Sequence, residues 1–271
     1  MKHISRVLFI AFFLFPLLYL GIRMFAGIWS YPALLPESWT GRALAYILAN
    51  RGPILRSLGS STAYSLTAVL ISLFFSYAPA RVLARRNFAG KSLVQTLLLA
   101  PLLVPAVVYA LGLFPLMLRL GISDRFGGVA LILALSAFPY MLRALQTGFA
   151  SIPREYEISA YMLGARGIRI FSSVYLPQML PALLSGATVV FLAAFSEYFL
   201  VFLIGGGLVS SYSGYLVPLI RASDWSISSA LILIFLLVPL MLYALMERLL
   251  SRYYRRRGMG MGEQLGGQVR S

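Results

Sequence analysis

Residues 152–165 of the chain read IPREYEISAYMLGA, and residues 174–177 read VYLP. This polar stretch separates two long apolar runs in a chain that is otherwise strongly hydrophobic. A segment of this kind predicts a soluble loop held between two membrane helices. Since such a loop has a use only if something outside the bilayer binds it, its residues are the first candidates for a functional site.

The composition of the chain indicates a polytopic membrane protein. Of its 271 residues, 60% are hydrophobic and 11% are charged. Soluble domains carry about 25% charged residues and about 45–50% apolar ones. The mean hydropathy is +0.84. The predicted solvent is therefore a lipid bilayer, and the predicted fold class is all-α, with apolar helices that cross it.

The residue types exclude several kinds of chemistry. The chain has no cysteine, so it has neither a disulfide nor a thiol nucleophile, and its one histidine is His3 at the N-terminus. We therefore expect no catalytic residue, no metal site and no cofactor. The net charge of +15 would suit nucleic acid in a soluble protein. In a membrane protein this charge is expected in the cytoplasmic loops, so we predict no nucleic-acid partner.

Six apolar stretches are long enough to cross a bilayer, which takes about 20 residues. They cover residues 7–29, 58–84, 92–118, 128–149, 180–204 and 228–249. Lysine and arginine concentrate on the side of the two termini, so both termini are predicted to be cytoplasmic.

The spans divide the chain into three parts. Residues 1–57 hold the first membrane helix and the longest external loop, in which residues 41–50 could form a short surface helix. Residues 58–251 form a five-helix core, whose cytoplasmic loop covers residues 150–177. Residues 252–271 form a basic, glycine-rich cytoplasmic tail. A second external segment, residues 205–226, opens with three glycines and is expected to be irregular or re-entrant.

The polar loop predicts a short amphipathic helix. Pro153 is favourable in a first helical turn, where Glu155 and Glu157 also lie near the positive end of the helix dipole. Gly164 or Gly167 can end the helix or allow a sharp turn of the backbone. An apolar stripe follows helical spacing, and its members are Ile158, Tyr161, Met162 and Ala165. The stripe could lie among lipid headgroups or dock into a groove on a soluble partner. Because the two carboxylates disfavour an anionic leaflet, we prefer the partner.

The spacing within this loop resembles the coupling-loop signature of binding-protein-dependent ABC importer permeases, commonly written E-A-A-x3-G-x9-I-x-L-P. The chain has Ser159-Ala160-x3-Gly164-x9-Val174-x-Leu176-Pro177. It departs from the pattern at the glutamate position, which holds Ile158, with Glu157 one residue earlier. It departs again where Ser159 replaces alanine and Val174 replaces isoleucine. The position of the loop between the fourth and fifth spans also fits this family.

The resemblance implies a subunit of a type I importer in the cytoplasmic membrane of a bacterium or archaeon. The expected partners are a second permease (identical or homologous), a cytoplasmic ABC ATPase dimer and an extracytoplasmic solute-binding protein. The implied ATPase-coupling residues are Glu155, Glu157, Ile158, Ser159, Ala160, Tyr161, Met162, Gly164, Ala165, Leu176 and Pro177. Residues 197–207 look closest to the subgroup that imports polyamines, thiamine, ferric iron or small oxyanions.

The translocation path is the second candidate site. Glu197 is the one acidic residue predicted in the middle of a span. It could line the cavity, or it could be a structural partner of a polar group on a neighbouring subunit. Tyr198, Tyr109 and Tyr140 are further candidates for the lining. Three prolines are expected at bilayer depth, where they either kink helices that shape the path or are simply common membrane-helix residues; they are Pro101, Pro105 and Pro139.

Two other classes of function remain open. An autonomous secondary transporter or channel typically has a central site of intramembrane charges or paired repeats, whereas this chain has one mid-span carboxylate and no repeat. A membrane-embedded enzyme lacks candidate residues. Residues 90–92 resemble the end of a phosphate-binding loop, but Arg85 stands where its first glycine is needed. The chain is therefore not expected to be an enzyme, and ATP hydrolysis is expected in a partner.

Overall fold

The computed structural model describes residues 2–29, 32–222 and 224–256, and within these ranges the chain is helical with no β-strand. Twelve α-helices occur in this part: α1 Lys2–Phe25, α2 Arg42–Ala49, α3 Arg51–Arg85, α4 Lys91–Leu99, α5 Ala106–Arg119, α6 Phe126–Ser151, α7 Arg154–Met162, α8 Ile168–Ile170, α9 Leu176–Ser196, α10 Phe199–Ile204, α11 Tyr212–Arg221 and α12 Trp225–Arg256. Most of the predicted tail lies outside the described residues.

Among the described residues, four helical stretches are long and apolar enough to cross a membrane: Arg51–Arg85, Phe126–Ser151, Phe171–Ser196 and Trp225–Arg248. A fifth crossing results if α4 and α5 together make one span. α1 is not among these four, but it contains the shorter apolar stretch Ala11–Phe25. The all-helical membrane fold is thus confirmed with four or five spans, and the sixth remains a prediction.

The predicted span at residues 92–118 is wrong as a single helix. α4 and α5 meet at an angle of 101°. A 3-10 turn, Ala100–Leu103, follows α4 and contains Pro101, and Pro105 precedes α5. Val104 is extended, with φ −94° and ψ 123°, because the ring of the following proline disfavours helical geometry in the residue before it. The two prolines therefore break the helix rather than kink it. By contrast, α6 runs through Pro139 without interruption.

The predicted span at residues 180–204 also differs from the structure. α9 begins earlier, at Leu176, and ends at Ser196, after which Glu197 is extended with ψ 120°. α10 then starts at Phe199. The segment at residues 205–226, which was predicted to be irregular or re-entrant, contains the helix α11. The predicted short helix at residues 41–50 is present as α2.

The core is formed by α3, α6 and α9, whose surfaces carry small residues where they meet. The Ser72 hydroxyl on α3 donates to the carbonyl of Ala134 on α6 at 3.0 Å. A Cβ at Gly186 would lie 2.7 Å from the Cβ of Ala144, so α6 and α9 are in close contact. Small residues allow membrane helices to approach in this way. The packed core fixes the ends of α3 and α9, between which α7 lies.

Candidate functional site: the polar loop and the helix break

Proline and glycine set the two ends of α7. α6 ends at Ser151, and Pro153 is the residue that precedes α7. Gly164 has φ +79°, a left-handed conformation. The N–H of Gly164 donates to the carbonyl of Tyr161, and the N–H of Ala165 donates to that of Ala160, each at 2.9 Å. The helix therefore ends in a glycine turn that satisfies its last carbonyls.

The inner side of α7 is fixed to the membrane helices through Glu157. One carboxylate oxygen accepts a hydrogen bond from the Arg81 guanidinium of α3 at 3.0 Å. The other accepts one from the Tyr175 hydroxyl at 2.5 Å. Arg154 also donates to the carbonyl of Arg85, at 2.6 Å. The Arg81 guanidinium lies 5.3 Å from the centre of the Tyr175 ring. These contacts join α7 to the end of α3 and to the start of α9.

The outer side of α7 displays large apolar side chains. Five of them are more than half exposed: Tyr156, Ile158, Tyr161, Met162 and Leu163, with Met162 and Leu163 at 85% and 88%. We call Ile158, Tyr161, Met162 and Leu163 the apolar cap. Ala165 was predicted to belong to this stripe, but it packs partly buried against the core, as does Ala160. An exposed apolar cluster of this kind is typical of a binding surface.

The predicted coupling residues therefore divide into two sets. Glu155, Ile158, Ser159, Tyr161, Met162 and Gly164 are exposed, whereas Glu157, Ala160, Ala165 and Leu176 are partly buried and Pro177 is buried. Sequence analysis missed Arg81 and Tyr175. Tyr175 lies inside the quoted spacing, at its variable position, and could have been noticed. Arg81 lies 76 residues from Glu157, and no local pattern connects the two.

Glu197 caps a helix in this structure. Its side chain accepts hydrogen bonds from the N–H groups of Phe199 and Leu200, at 3.1 and 3.2 Å. Its backbone carbonyl accepts one from the Ser213 hydroxyl at 3.1 Å. The carboxylate thus satisfies the first free N–H groups of α10, which every helix start leaves unpaired.

The three tyrosines proposed for the path have different surroundings. Tyr198 stacks on Phe202, with ring centres 5.7 Å apart. Tyr109 of α5 is partly buried against the core, and Tyr140 of α6 is 42% exposed. The hydrogen bonds of the Glu197 side chain go to the start of α10 and to none of these rings.

At the opposite end of the molecule, polar contacts hold α2 in place. Arg42 pairs with Asp224 at 2.7 Å, and the hydroxyls of Tyr46 and Tyr215 are 2.9 Å apart. Burial raises the pKa of Tyr215, and its hydrogen bond with Tyr46 raises it further. The Tyr215 hydroxyl therefore stays protonated at neutral pH. Within the described ranges, no three carboxylate or imidazole groups come together as a metal site requires.

A family model described as "Binding-protein-dependent transport system inner membrane component" matches residues 80–255. The molybdate/tungstate transport system permease protein WtpB of Pyrococcus furiosus is 30% identical over 144 residues, which are 53% of this chain and 57% of WtpB. The chain thus spans little more than half the length of that relative. The sulfate transport system permease protein CysT of Salmonella typhimurium is 28% identical over 209 residues, 70% of this chain and 76% of CysT.

Two solved structures share the fold. One is a bacterial ABC transporter involved in the import of the acidic polysaccharide alginate, with a TM-score of 0.69, 18% identity and coverage of 91% of this chain and 94% of that one. The other is the MetNI methionine ABC transporter in an inward-facing conformation, with a TM-score of 0.55, 16% identity and coverage of 75% and 95%.

Proposed function

The chain belongs to the family of binding-protein-dependent transport system inner membrane components, and we propose that it is the membrane-spanning subunit of an ATP-driven importer. In this proposal it forms the solute path together with a second permease. A cytoplasmic ABC ATPase dimer supplies the energy, and an extracytoplasmic binding protein delivers the solute. The chain has six spans with both termini in the cytoplasm, and residues 58–251 are its transport core.

The two-sided construction of α7 is the observation that carries this proposal. Its apolar cap is exposed, as a helix that docks into a groove of a partner requires. Its opposite side is bonded to α3 and α9 through Glu157. A displacement of the cap by an ATPase is therefore passed to two helices of the core. The ATPase can drive this movement because its nucleotide states bind different positions of α7 with different affinity.

The proposed cargo is a small oxyanion. WtpB is named for molybdate and tungstate and CysT for sulfate, and both resemble this chain. The surroundings of Glu197 also support an anion over a cation. Since this carboxylate is hydrogen-bonded to two backbone N–H groups, less of its charge is available to bind a cation. Uptake of labelled molybdate and sulfate into vesicles that carry the complete transporter tests this choice.

Cysteine crosslinking tests the coupling role of α7, and the chain itself supplies a cysteine-free background. Single cysteines at Ser159 and Met162, which are exposed, are combined with cysteines along the groove of the co-expressed ATPase. Ala165 is the matched internal control, because it lies in the same loop but is partly buried. We expect nucleotide-dependent crosslinks at the first two positions and much weaker ones at Ala165. Absence of crosslinks to any ATPase, in membranes that contain the inserted chain, would contradict the proposed role.

A further inference from the structure

A basic cavity lies between the end of α3 and α7. Its volume is about 370 Å³. Six residues line it: Arg81, Val82, Arg85, Arg86, Arg154 and Glu157. Four of them carry a positive charge and one carries a negative charge. The single carboxylate is already engaged by Arg81 and Tyr175. The cavity therefore has an excess of positive charge that an anion can neutralise.

Arg85 is the residue that points most directly to a ligand. In the part of the chain that the structure describes, its Nε and Nη2 atoms are buried and have no hydrogen-bond partner. Its guanidinium lies 5.9 Å from the centre of the Tyr175 ring. Leaving buried charged donors unpaired is costly. An oxyanion in the cavity would supply the missing acceptors, and a phosphate suits the planar fork of arginine.

An apolar groove lies on α3 beside the basic cavity. Its volume is about 600 Å³. Its lining comes from α3, α6, α9 and the π-helical turn Phe171–Tyr175 that precedes α9: Leu70, Leu73, Phe74, Phe75, Tyr77, Ala78, Leu145, Phe171, Met179 and Leu183. On α3, the groove residue Ala78 lies four residues after Phe74 and four before the cavity residue Val82. The groove residue Tyr77 likewise lies four residues before the cavity residue Arg81, and residues four apart are neighbours on a helix surface. Groove and cavity therefore follow one face of the helix.

The length of this face matches one leaflet of a bilayer. From Leu70 to Arg81 the helix rises about 16 Å, at about 1.5 Å per residue. Half of the hydrocarbon core of a bilayer measures about 15 Å. An acyl chain that fills the groove thus reaches the bilayer interior while its headgroup stays beside the arginines.

We propose that this face binds one anionic phospholipid, with its phosphate against Arg85 and an acyl chain in the groove along Phe74 and Ala78. The assignment to the cytoplasmic leaflet rests on the proposed function, which places α7 in the cytoplasm. Basic pockets beside membrane helices at this level are suited to anionic headgroups. The lipid contacts α3 and α7 beside the Glu157–Arg81 pair, through which a movement of the apolar cap is transmitted to the core. Membrane composition therefore regulates the coupling of this transporter.

Lipid retention by the purified full chain tests the proposal. Native mass spectrometry in mild detergent compares phosphatidylglycerol with phosphatidylcholine of the same acyl chains. We expect selective retention of phosphatidylglycerol. Arg85→Gln should weaken it about fivefold, since one arginine near an anionic surface contributes about that factor. Arg248→Gln, an exposed arginine on α12 outside the cavity, is the matched control and should retain lipid as the wild type does. Equal retention of both lipids, or unchanged retention in Arg85→Gln, would overturn the proposal.

Two further experiments test whether the bound molecule is a phospholipid. Ala78→Trp fills the exposed groove without removing an arginine, so it should release the lipid even if Arg85→Gln folds poorly. Inorganic phosphate at millimolar concentration should leave the bound phosphatidylglycerol in place. If phosphate displaces it, the site binds a free anion. If Ala78→Trp retains it, the acyl chain does not occupy the groove. Either result contradicts the lipid assignment. If Arg85→Cys crosslinks to an acidic segment of the ATPase, the cavity is a protein contact instead.

Crosslinking at Ser159 separates this proposal from the proposed function. Loss of lipid selectivity with intact crosslinks to the ATPase rejects the lipid site alone. Selective lipid retention without any crosslink to an ATPase rejects the coupling role of α7. The lipid site is then supported, but its assignment to the cytoplasmic leaflet is not.

Discussion

At the scale of single residues, Glu157 is the link between the exposed helix α7 and the membrane core. Its two oxygens are bonded to side chains from two different elements, Arg81 and Tyr175. The side chain of Glu157 is 19% exposed and that of Arg81 is 41% exposed. Solvent therefore screens part of their attraction, and the pair contributes more to the orientation of α7 than to the stability of the fold.

The variant Glu157→Gln should separate these two contributions. The amide removes the charge that pairs with Arg81 but keeps an oxygen that can accept from Tyr175. We expect the free energy of unfolding to fall by about 1 kcal/mol and uptake to fall by about tenfold, because the connection between ATPase and core is weakened. Thermal unfolding in detergent and vesicle uptake measure the two effects.

Glu247→Gln serves as the control for this variant, since Glu247 is an exposed carboxylate on α12. It should change neither stability nor uptake appreciably. If Glu157→Gln transports as fast as the wild type, the link through Glu157 is not part of coupling.

Gly164 is the second residue whose conformation matters. A methyl group at Gly164 or at Gly59 would meet open space in both cases. Gly164 alone has a positive φ, of +79°, which costs other residues about 1–2 kcal/mol. Gly164→Ala should therefore destabilise the protein by about 1 kcal/mol. Gly59→Ala, within α3, should be neutral or stabilise it by up to about 1 kcal/mol.

Thermal unfolding of the two alanine variants measures this difference, and Gly164→Val extends it to transport. We expect the valine variant to insert normally into the membrane and to lose uptake, because α7 can no longer end in its native turn. Equal unfolding temperatures for the two alanine variants would show that the left-handed turn has no energetic importance.

At the scale of elements, the breaks in the helices are what sequence analysis described least well. Hydropathy located four of the predicted spans, and a fifth if α4 and α5 make one span, because burial in lipid depends on composition and length. It could not give the direction of the backbone, so a 101° bend was treated as part of one span. Sequence analysis left open whether Pro101 and Pro105 kink the helix or are simply common membrane-helix residues. Their combined effect depends on the conformation of Val104 between them, which composition does not determine.

The break at Glu197 leads to a prediction about helix capping. Glu197→Ala removes the acceptor for the first N–H groups of α10 and should destabilise the protein by about 1 kcal/mol. Glu197→Gln keeps an acceptor oxygen and should lose less than half of that amount. Thermal unfolding ranks the three proteins.

Two results would contradict the capping role of Glu197. If the glutamine variant is as stable as the wild type but loses uptake, the charge itself lines the solute path. If alanine and glutamine behave alike in both assays, the two hydrogen bonds to α10 carry little free energy.

At the scale of the whole molecule, the fold class and the family could be predicted from composition and from the spacing in residues 152–177. The partition of α7 into a bonded side and an exposed side could be predicted only in part. Helical periodicity placed Ile158, Tyr161 and Met162 together correctly. It assigned Ala165 to the same surface wrongly, because that residue follows the turn at Gly164 and no longer obeys helical spacing.

Membrane orientation is a prediction at this same scale. Leu34 is 91% exposed in the segment between α1 and α2, and Ser159 is exposed on α7. The distribution of lysine and arginine predicts that these two positions lie on opposite sides of the membrane. In intact cells, a membrane-impermeant maleimide should therefore label Leu34→Cys and should label Ser159→Cys only after permeabilisation. The reverse labelling would invert the topology, and labelling of both positions in intact cells would remove one crossing between them.

The helix α3 has a further mechanical consequence. Its Arg81 is bonded to Glu157 of α7, and its Ser61 hydroxyl accepts a hydrogen bond from the N–H of Tyr212 at the start of α11, at 2.8 Å. The two attachment points are separated by about 30 Å along the helix axis, which equals the thickness of the hydrocarbon core. If α3, which contains Pro79, turned as one rigid rod by about 10° at one end, its other end would move through about 5 Å. Such a lever would deliver a stroke across the bilayer with no ion, proton or ligand travelling between its ends.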